Sequence, residues 1–437
     1  MFTSISIAGA FTILMVMFMA FGVPVAMALG LAGLSGLWLI GGPPLALGQL
    51  STVSFSVTAN YAFAVLPTFL LMGNLATSSG MVTELYTAAD RWLGHLKGGL
   101  YLATISGAAG FAAISGSPLV NATVFTRLAL PEMLRLGYSK SISGASIASA
   151  GTLAALIPPS IGMVIYGILT EQSIGKLMIA GIIPGIMTAV GYCLMVMVMV
   201  RINPKLAPAD RPKASRKDRW SAIGNTWSIM LLFVFIMTGI YGGFFSPSAA
   251  GAAGAFGAIL ITLFRRKLTA SMLGAAMMRA AETTAMLFII VIGGMIYSRM
   301  LVLSGFVVEI VDFTAGFNLS PTMLLIIIGL MYVILGCFME GVSLQLVTIP
   351  FVFPIISAAG IDPIFFGIFV IIIIEIGAIT PPVGLNLFAT VGASEGKLKL
   401  EDMVRGIYPF VLLNVAMLLA IVIFPQLVLW LPNNMQF

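Results

Sequence analysis

Two proline pairs, Pro158-Pro159 and Pro381-Pro382, sit inside runs that are otherwise apolar enough to enter a bilayer. Each pair removes two backbone donors and pushes the preceding residue, Ile157 or Thr380, out of helical geometry, so each run must stop and restart. Two further interruptions, Ser115-Gly116-Ser117-Pro118 and Met339-Glu340-Gly341, divide apolar stretches whose arms read as re-entrant hairpins. Irregular backbone at membrane depth is tolerated only where it is buried in protein or lines a cavity, so breaks in matching positions point to a binding site. Freed carbonyls, hydroxyls and amides suit a hard cation such as sodium, and the positive ends of half-helices suit an anion. In the first half the candidates are Ser115, Gly116, Ser117, Asn121 and Thr123, opposite Gly151, Thr152, Pro158, Pro159 and Ser160. In the second half Glu340, Gly341 and Ser343 face Gly377, Thr380, Pro381, Pro382, Gly384 and Asn386. Taken singly, these glycines, serines and prolines read equally well as close helix packing and kinks; their paired occurrence favours a site. Glu340 and Glu375 are the acidic residues nearest the breaks. A charge at bilayer centre costs roughly 2.5–3.5 kcal/mol, so each requires a partner, water or a proton. They read alternatively as a solvated tip carboxylate and as a structural acceptor.

Composition defines the setting. Of 437 residues, 60% are hydrophobic and 8% charged, against about 25% charged in soluble domains; the mean hydropathy is +1.11. This is the composition of an all-α polytopic membrane protein. Cys193 and Cys337 lie in apolar runs and the lone His95 sits in an amphipathic stretch, so no metal-ligand or nucleophile cluster forms. With no P-loop and no Gly-x-Ser-x-Gly elbow, nothing supports an enzyme. The net charge of +6 is spread over short loops, which argues against a nucleic-acid partner and for the lipid bilayer as the surroundings. The first apolar run lacks a basic flank and is expected to be retained as a span.

In chain order, residues 5–40 form two spans divided at Gly22-Val23-Pro24, and 62–80 a third. Val82 to Lys97 is amphipathic and suits the membrane surface. A hairpin covers 100–125, followed by a loop through RLALPEMLRLGYSK, a broken helix at 141–171 and a span from Ile174 to Val200. A polar linker, 201–224, leads to spans at 225–243, 248–264 and 284–303, a hairpin at 321–357, a broken helix at 364–394 and a last span at 407–431. A nearly constant offset carries Pro24 to Pro247, Gly80 to Gly305, Glu84 to Glu309, Pro131 to Pro354 and Pro158-Pro159 to Pro381-Pro382, which marks an internal duplication of 1–200 in 225–437. With a cytoplasmic linker and five crossings per half, all 21 Lys and Arg except Lys176 and Arg299 fall on the cytoplasmic side. The halves are then inverted repeats with both termini outside.

The stretch from Ser115 to Gly167, containing SGSPLVNATVF and LIPPSIG, then LMIAGIIPGI and later IEIGAITPPVGLNLF, resembles the large membrane subunit of tripartite ATP-independent periplasmic (TRAP) transporters. Pro118-Leu119 departs from the small residues usual in that family. The resemblance implies an elevator-type, sodium-coupled importer of organic carboxylates in the bacterial inner membrane. Its implied partners are a small four-helix membrane subunit and a soluble periplasmic binding protein. It places sodium on Ser115, Gly116, Ser117, Asn121, Thr123, Gly151, Thr152, Pro158, Glu340, Gly341, Gly377, Thr380 and Pro381. Substrate contacts fall on Ser117, Pro159, Ser160, Ser343, Pro382, Gly384 and Asn386. No cofactor is implied beyond sodium as coupling ion. A stand-alone ion-coupled anion transporter of similar double-hairpin fold is the alternative, and a channel or structural bundle is disfavoured because inverted hairpins suit alternating access. No polar cluster distinguishes a C4-dicarboxylate from a 2-oxo acid or a sialic acid.

Overall fold

The computed structural model describes residues 4–208, 212–316 and 319–435, and among these every regular element is helical. Helix α1 (Ser4–Ala20) ends at Gly22, whose φ of +83° only glycine adopts readily, and Pro24 precedes α2 (Val25–Ala59). The second span does not stop at residue 40. It kinks at Gly41-Gly42 and continues, because Pro43-Pro44 start the next turn where their missing donors are not needed. Asn60 then caps a short turn leading into α3 (Val65–Ser78). Helix α4 (Met81–Leu93) carries the amphipathic stretch, and α5 (Gly99–Ser115) and α6 (Pro118–Arg135) form the first hairpin. The stretch expected to be a loop after Phe125 is helical as far as Arg135. Its apolarity falls below membrane grade, but Ala129, Leu130 and Met133 still bury one face, and Glu132 and Arg135 pair outside.

The broken helix is α7 (Lys140–Leu156) and α8 (Ile161–Thr170), followed by α9 (Ile174–Ile202). The linker contains α10 (Arg216–Asn225), capped by Ser215, whose hydroxyl accepts from the Asp218 amide at 3.1 Å. Helices α11 (Trp227–Tyr241) and α12 (Pro247–Phe264) precede α13 (Ala270–Leu303). That helix begins well before residue 284, since Thr269 caps it by accepting from Met272 N at 3.1 Å and nothing breaks the chain where the first repeat has Asn60. Next come α14 (Phe306–Gly316), the hairpin α15 (Pro321–Gly336) and α16 (Gly341–Ala358), and the broken pair α17 (Pro363–Ala378) and α18 (Leu385–Ala393). The last span starts at Leu400 rather than 407 and is divided before Pro425 into α19 (Leu400–Ile423) and α20 (Gln426–Asn434). Among the described residues seven helices, or up to nine if each bent pair counts as one span, are long and apolar enough to cross a membrane. The protein is a multi-pass membrane protein built from two helical repeats.

Helices α2 and α13 pack along each other, and α13 also packs against α3. Small residues permit this: a Cβ on Gly33 would fall 2.8 Å from Tyr297 Cα, and one on Gly293 2.3 Å from Ala26 O. A second body gathers both hairpins with α7, α8, α17, α18 and α19. The linker is fastened to α4: Trp92 Nε1 donates to Arg219 O at 3.1 Å, and the Trp92 and Trp220 rings meet edge to face at 5.7 Å. The Arg219 guanidinium also lies 5.7 Å over the Trp92 ring and reaches His95 Nδ1 at 3.2 Å.

Two outcomes follow from this packing. A Cβ on Gly377 would stand 2.8 Å from Gly336 Cα, whereas one on Gly392 meets nothing within 4 Å. Gly377→Ala should therefore destabilise the protein by about 1–3 kcal/mol, read as a lowered thermal midpoint, while Gly392→Ala leaves the midpoint unchanged or higher. His95 is held below its ordinary value of 6.5 by desolvation first, then by the Arg219 and Lys213 charges. The unfolded chain then binds this proton better than the folded one, so the clasp is at full strength above pH 6.5 and weakens as pH falls below that value. The fluorescence of Trp92 and Trp220 should titrate with a midpoint under 6.5, and His95→Gln should abolish the titration.

Candidate functional site

Each hairpin tip is tied to the helix break of its own repeat by a backbone hydrogen bond. Ile161 N donates to Gly116 O at 3.2 Å, and Gly384 N donates to Cys337 O at 3.1 Å. Gly116 and Gly384, at φ +60° and +67°, turn the chain at these points. A Cβ on Gly116 would also lie 2.7 Å from Pro159 O, so the first tip touches its break with no room for a side chain. Both proline pairs are joined by cis peptide bonds, one per repeat.

The repeats then cross over. Helix α6 packs on α18, and α16 packs on α8, so each hairpin reaches the far half of the other repeat's broken helix. This crossing brings both tips to one cavity of about 330 Å³. Of the residues singled out by sequence, Gly116, Ser117, Glu340, Gly341, Ser343, Glu375 and Asn386 line it. Its remaining wall includes Thr283, Met286, Leu287 and Ile290 of α13 and Leu70 of α3, so the cavity lies where the two-hairpin body meets the α2–α3–α13 body.

Three buried acceptors without partners lie on α5, α6 and α7, which pack together behind the first tip. Asn121 is fully buried and its Nδ2 donates to Ala108 O at 3.0 Å, which leaves Oδ1 with no hydrogen-bond partner. Ser115 Oγ and Ser149 Oγ are likewise buried without partners. Gly151 lets α7 approach: a Cβ there would meet Ala122 Cβ at 2.9 Å and Pro118 O at 3.0 Å. The Thr152 hydroxyl donates to Ser149 O at 2.6 Å and lies 3.3 Å from Tyr192 OH, which donates to Asn414 Oδ1 at 2.8 Å. Pro158, Pro159 and Ser160 are buried in the first break, where the Ser160 hydroxyl accepts from Met163 N at 3.4 Å and starts α8. Thr123 is not brought into this cluster. Two residues from Asn121 on one helix, it projects to the opposite side of α6 and is only half-buried.

At the second tip Glu340 is the N-cap of α16, its Oε2 accepting from Val342 N at 3.0 Å and Ser343 N at 3.2 Å. Gly377 gives α17 its close approach to Gly336 of α15. The Thr380 hydroxyl turns back to Ile376 O at 2.5 Å, Pro381 is half-buried, and Pro382 is exposed, so this break is more open than the first. Asn386 is buried and its Nδ2 has no partner. Two helix starts at the cavity have no side-chain cap: α6 at Ser117 and α18 at Gly384. Four features were missed by the sequence reading: Gln345, Ser149, the siting of Glu375 in the cavity, and the α13 wall. Gln345 had a usable signal, being an amide in an apolar membrane run; the wall residues are ordinary apolar side chains with none.

Residues 12–427 match the tripartite ATP-independent periplasmic transporter family, DctM component. The chain belongs to this family. A C4-dicarboxylate TRAP transporter large permease protein of Pseudomonas aeruginosa is 35% identical over 409 residues, covering 93% of this chain and 94% of the relative. An ectoine TRAP large permease protein of Halomonas elongata is 33% identical, covering 94% and 95%. A sialic acid TRAP large permease protein of Vibrio cholerae is 31% identical, covering 86% and 87%. The fold is shared with the crystal structure of the Alcanivorax borkumensis YdaH transporter, at a TM-score of 0.65 and 13% identity over 89% of this chain and 90% of that one. As a TRAP large membrane subunit, the chain is a transporter component and not an enzyme.

Proposed function

We propose that this TRAP subunit carries a small organic anion inward together with sodium, in the bacterial inner membrane, with both termini periplasmic and the linker cytoplasmic. It works with a small four-helix membrane subunit and a periplasmic binding protein that selects the cargo. The observation that carries the proposal is the convergence, at one cavity, of two uncapped helix starts and the partnerless amide of Asn386, with three buried acceptors lacking partners on the helices behind the first tip. The starts of α6 and α18, with the donor Nδ2 of Asn386, offer positive ends and N–H groups to a carboxylate. Ser115 Oγ, Asn121 Oδ1 and Ser149 Oγ offer hard oxygens, and a buried acceptor left unpaired costs about 1–3 kcal/mol, which a sodium ion would offset. Pro158, Gly151 and Thr152 serve by shaping that cluster, and Gly341, Gly377, Thr380 and Pro381 shape its counterpart at Glu340. Ser117, Ser343, Pro159, Ser160, Pro382 and Gly384 set the substrate side. Relatives of the same length are named for C4-dicarboxylate, sialic acid and ectoine, all compounds that bear a carboxylate, which supports that cargo class. The two-hairpin body slides as an elevator against the α2–α3–α13 body, and the cavity at their junction changes sides.

Uptake into proteoliposomes containing both membrane subunits and the binding protein should require a sodium gradient. Asn121→Ala should raise the sodium concentration for half-maximal uptake, and Thr123→Ala should leave it unchanged. Leaving out the binding protein should abolish uptake at micromolar substrate. Uptake driven by a pH gradient in the absence of sodium, or undiminished without the binding protein, overturns the proposal. For the topology, an impermeant thiol reagent applied to intact cells should label Asn434→Cys and spare Ser215→Cys; the reverse pattern inverts the orientation.

A further inference from the structure

The cavity assigned to the cargo has a companion on the same seam, where α13 packs on α16. This second cavity, of about 420 Å³, is bounded on its other sides by the end of α2, by Asn60 and by the end of α8, all segments that the proposed topology places outside. The two cavities lie in series. On α13 the first is lined by Thr283, Met286 and Leu287 and the second by Ser298 and Arg299, so that Ser298 stands about 16 Å beyond Leu287 along the helix. On α16, Gln345 lines the first and its neighbour Leu346 the second. Between them Leu346 is seated on the bare backbone of Gly294, where an added Cβ would fall 2.8 Å from Leu346 Cβ.

The cavities differ in charge. Among the described residues the first is lined by Glu340 and Glu375 and by no Lys, Arg or His, whereas the second holds Arg299. An arginine one turn from the end of a membrane helix often does no more than reach the interface. Two observations set Arg299 apart from that case. The arginine toward the inner end of the same helix, Arg279, is committed, its Nη2 donating to Ser78 Oγ at 3.1 Å. Arg299 makes no ion pair among the described residues, although Glu171 lines the same cavity. The polar groups beside it are donors as well. Ser298 supplies a hydroxyl, and Asn60, whose Oδ1 accepts from Ala62 N at 2.9 Å, keeps its amide N–H groups.

We infer that Arg299 is an outer capture group for the carboxylate of the cargo, with Ser298 and Asn60 as accompanying donors. The inference rests on the proposed inward transport of an organic anion by sliding of the two-hairpin body, and deepens it. A guanidinium takes a carboxylate through two parallel N–H···O bonds, a contact the central cavity lacks. As the body slides outward along the seam, α16 carries its tip past Gly294, and the wall opposite Ser343 changes from Met286 and Leu287 to Ser298 and Arg299. The cargo therefore meets a positive wall outside and an apolar wall inside, which favours capture on one side and release on the other. Glu171, a like charge to the cargo on the same rim, limits the affinity of the outer site.

The test uses proteoliposomes holding both membrane subunits under an inward sodium gradient, with the binding protein added and radioactive succinate, sialic acid and ectoine as probes. The probe that the wild type takes up best is carried forward. Arg299→Gln should raise the half-saturating concentration of cargo-loaded binding protein roughly tenfold, as expected for loss of one charge-assisted contact, and leave maximal uptake within about twofold. Arg299→Lys should recover most of that loss, and Glu171→Gln should lower half-saturation below wild type. A second readout sits in the cavity itself, which Val302 also lines. With Cys193 and Cys337 replaced by Ser, the probe at millimolar concentration should slow labelling of Val302→Cys by an impermeant maleimide, and Arg299→Gln should remove that protection. If Arg299→Gln takes up cargo and protects Val302→Cys as wild type does, the inference is wrong and the proposed function stands. A latch between Arg299 and Glu171 would make Glu171→Gln resemble Arg299→Gln, and a lipid-headgroup site would make the Arg299→Gln defect vanish in liposomes free of anionic lipid; either result also overturns the inference. Should Arg299→Gln fail to fold by gel filtration, lack of protection at Val302→Cys with Arg299 in place overturns it by itself. A wild type that takes up none of the probes overturns the proposed function along with it.

Discussion

The structure depends on one constraint: peptide groups at membrane depth must find partners inside the protein. Four interruptions of helix would be ruinous if each were alone. Placed together they satisfy one another, as the Ile161 N to Gly116 O and Gly384 N to Cys337 O bonds show. Side chains complete the arrangement, Ser160 capping α8 and Glu340 capping α16. Where a side chain would intervene there is glycine: Gly116 against Pro159, Gly151 against Pro118, Gly377 against Gly336. A cavity follows from the same constraint, because a group left over once the interruptions have paired, such as Asn386 Nδ2, is one a solute can use.

The two repeats solve this problem differently, and the difference gives the cavity its polarity. Ser117 leaves the start of α6 uncapped, whereas Glu340, its counterpart on the second tip, spends a carboxylate on the start of α16. Pro158, Pro159 and Ser160 of the first break are buried, while the second break exposes Pro382. Donor-rich helix starts and acceptor-rich carboxylates thus lie around one space of about 330 Å³. Such an arrangement suits an anion accompanied by cations better than either alone.

The remainder of the molecule supplies a surface against which that unit is set. In the first repeat Gly41-Gly42 kinks α2 and Asn60 ends it before α3; in the second, α13 runs uninterrupted from Ala270 to Leu303. The long helix closes the cavity with Met286, Leu287 and Ile290. Opposite charges on different segments fix this frame to the neighbouring α4: Arg265 donates to Glu84, and Lys267 Nζ lies 3.5 Å from the same carboxylate and 3.1 Å from Ser79 O.

Sequence alone determined the membrane setting, the duplication, the two proline breaks and both hairpin tips, because apolar length and the missing donors of proline are local properties that no packing can reverse. It located helix ends poorly at Arg135, Ala59 and Ala270, since falling hydropathy marks where a membrane run stops and not where a hydrogen-bonded helix does. Of the residues flanking the breaks, sequence could state type but not direction. Thr123 and Asn121 look equally suited until the helix turns one of them away, and Thr380 looks free until its hydroxyl bonds Ile376 O. Tertiary structure decided what crosses what: α6 onto α18 and α16 onto α8, with α13 as the wall. That crossing joins residues from opposite halves of the chain, so Glu375, Gln345 and the first tip share a cavity only because the two repeats interlock.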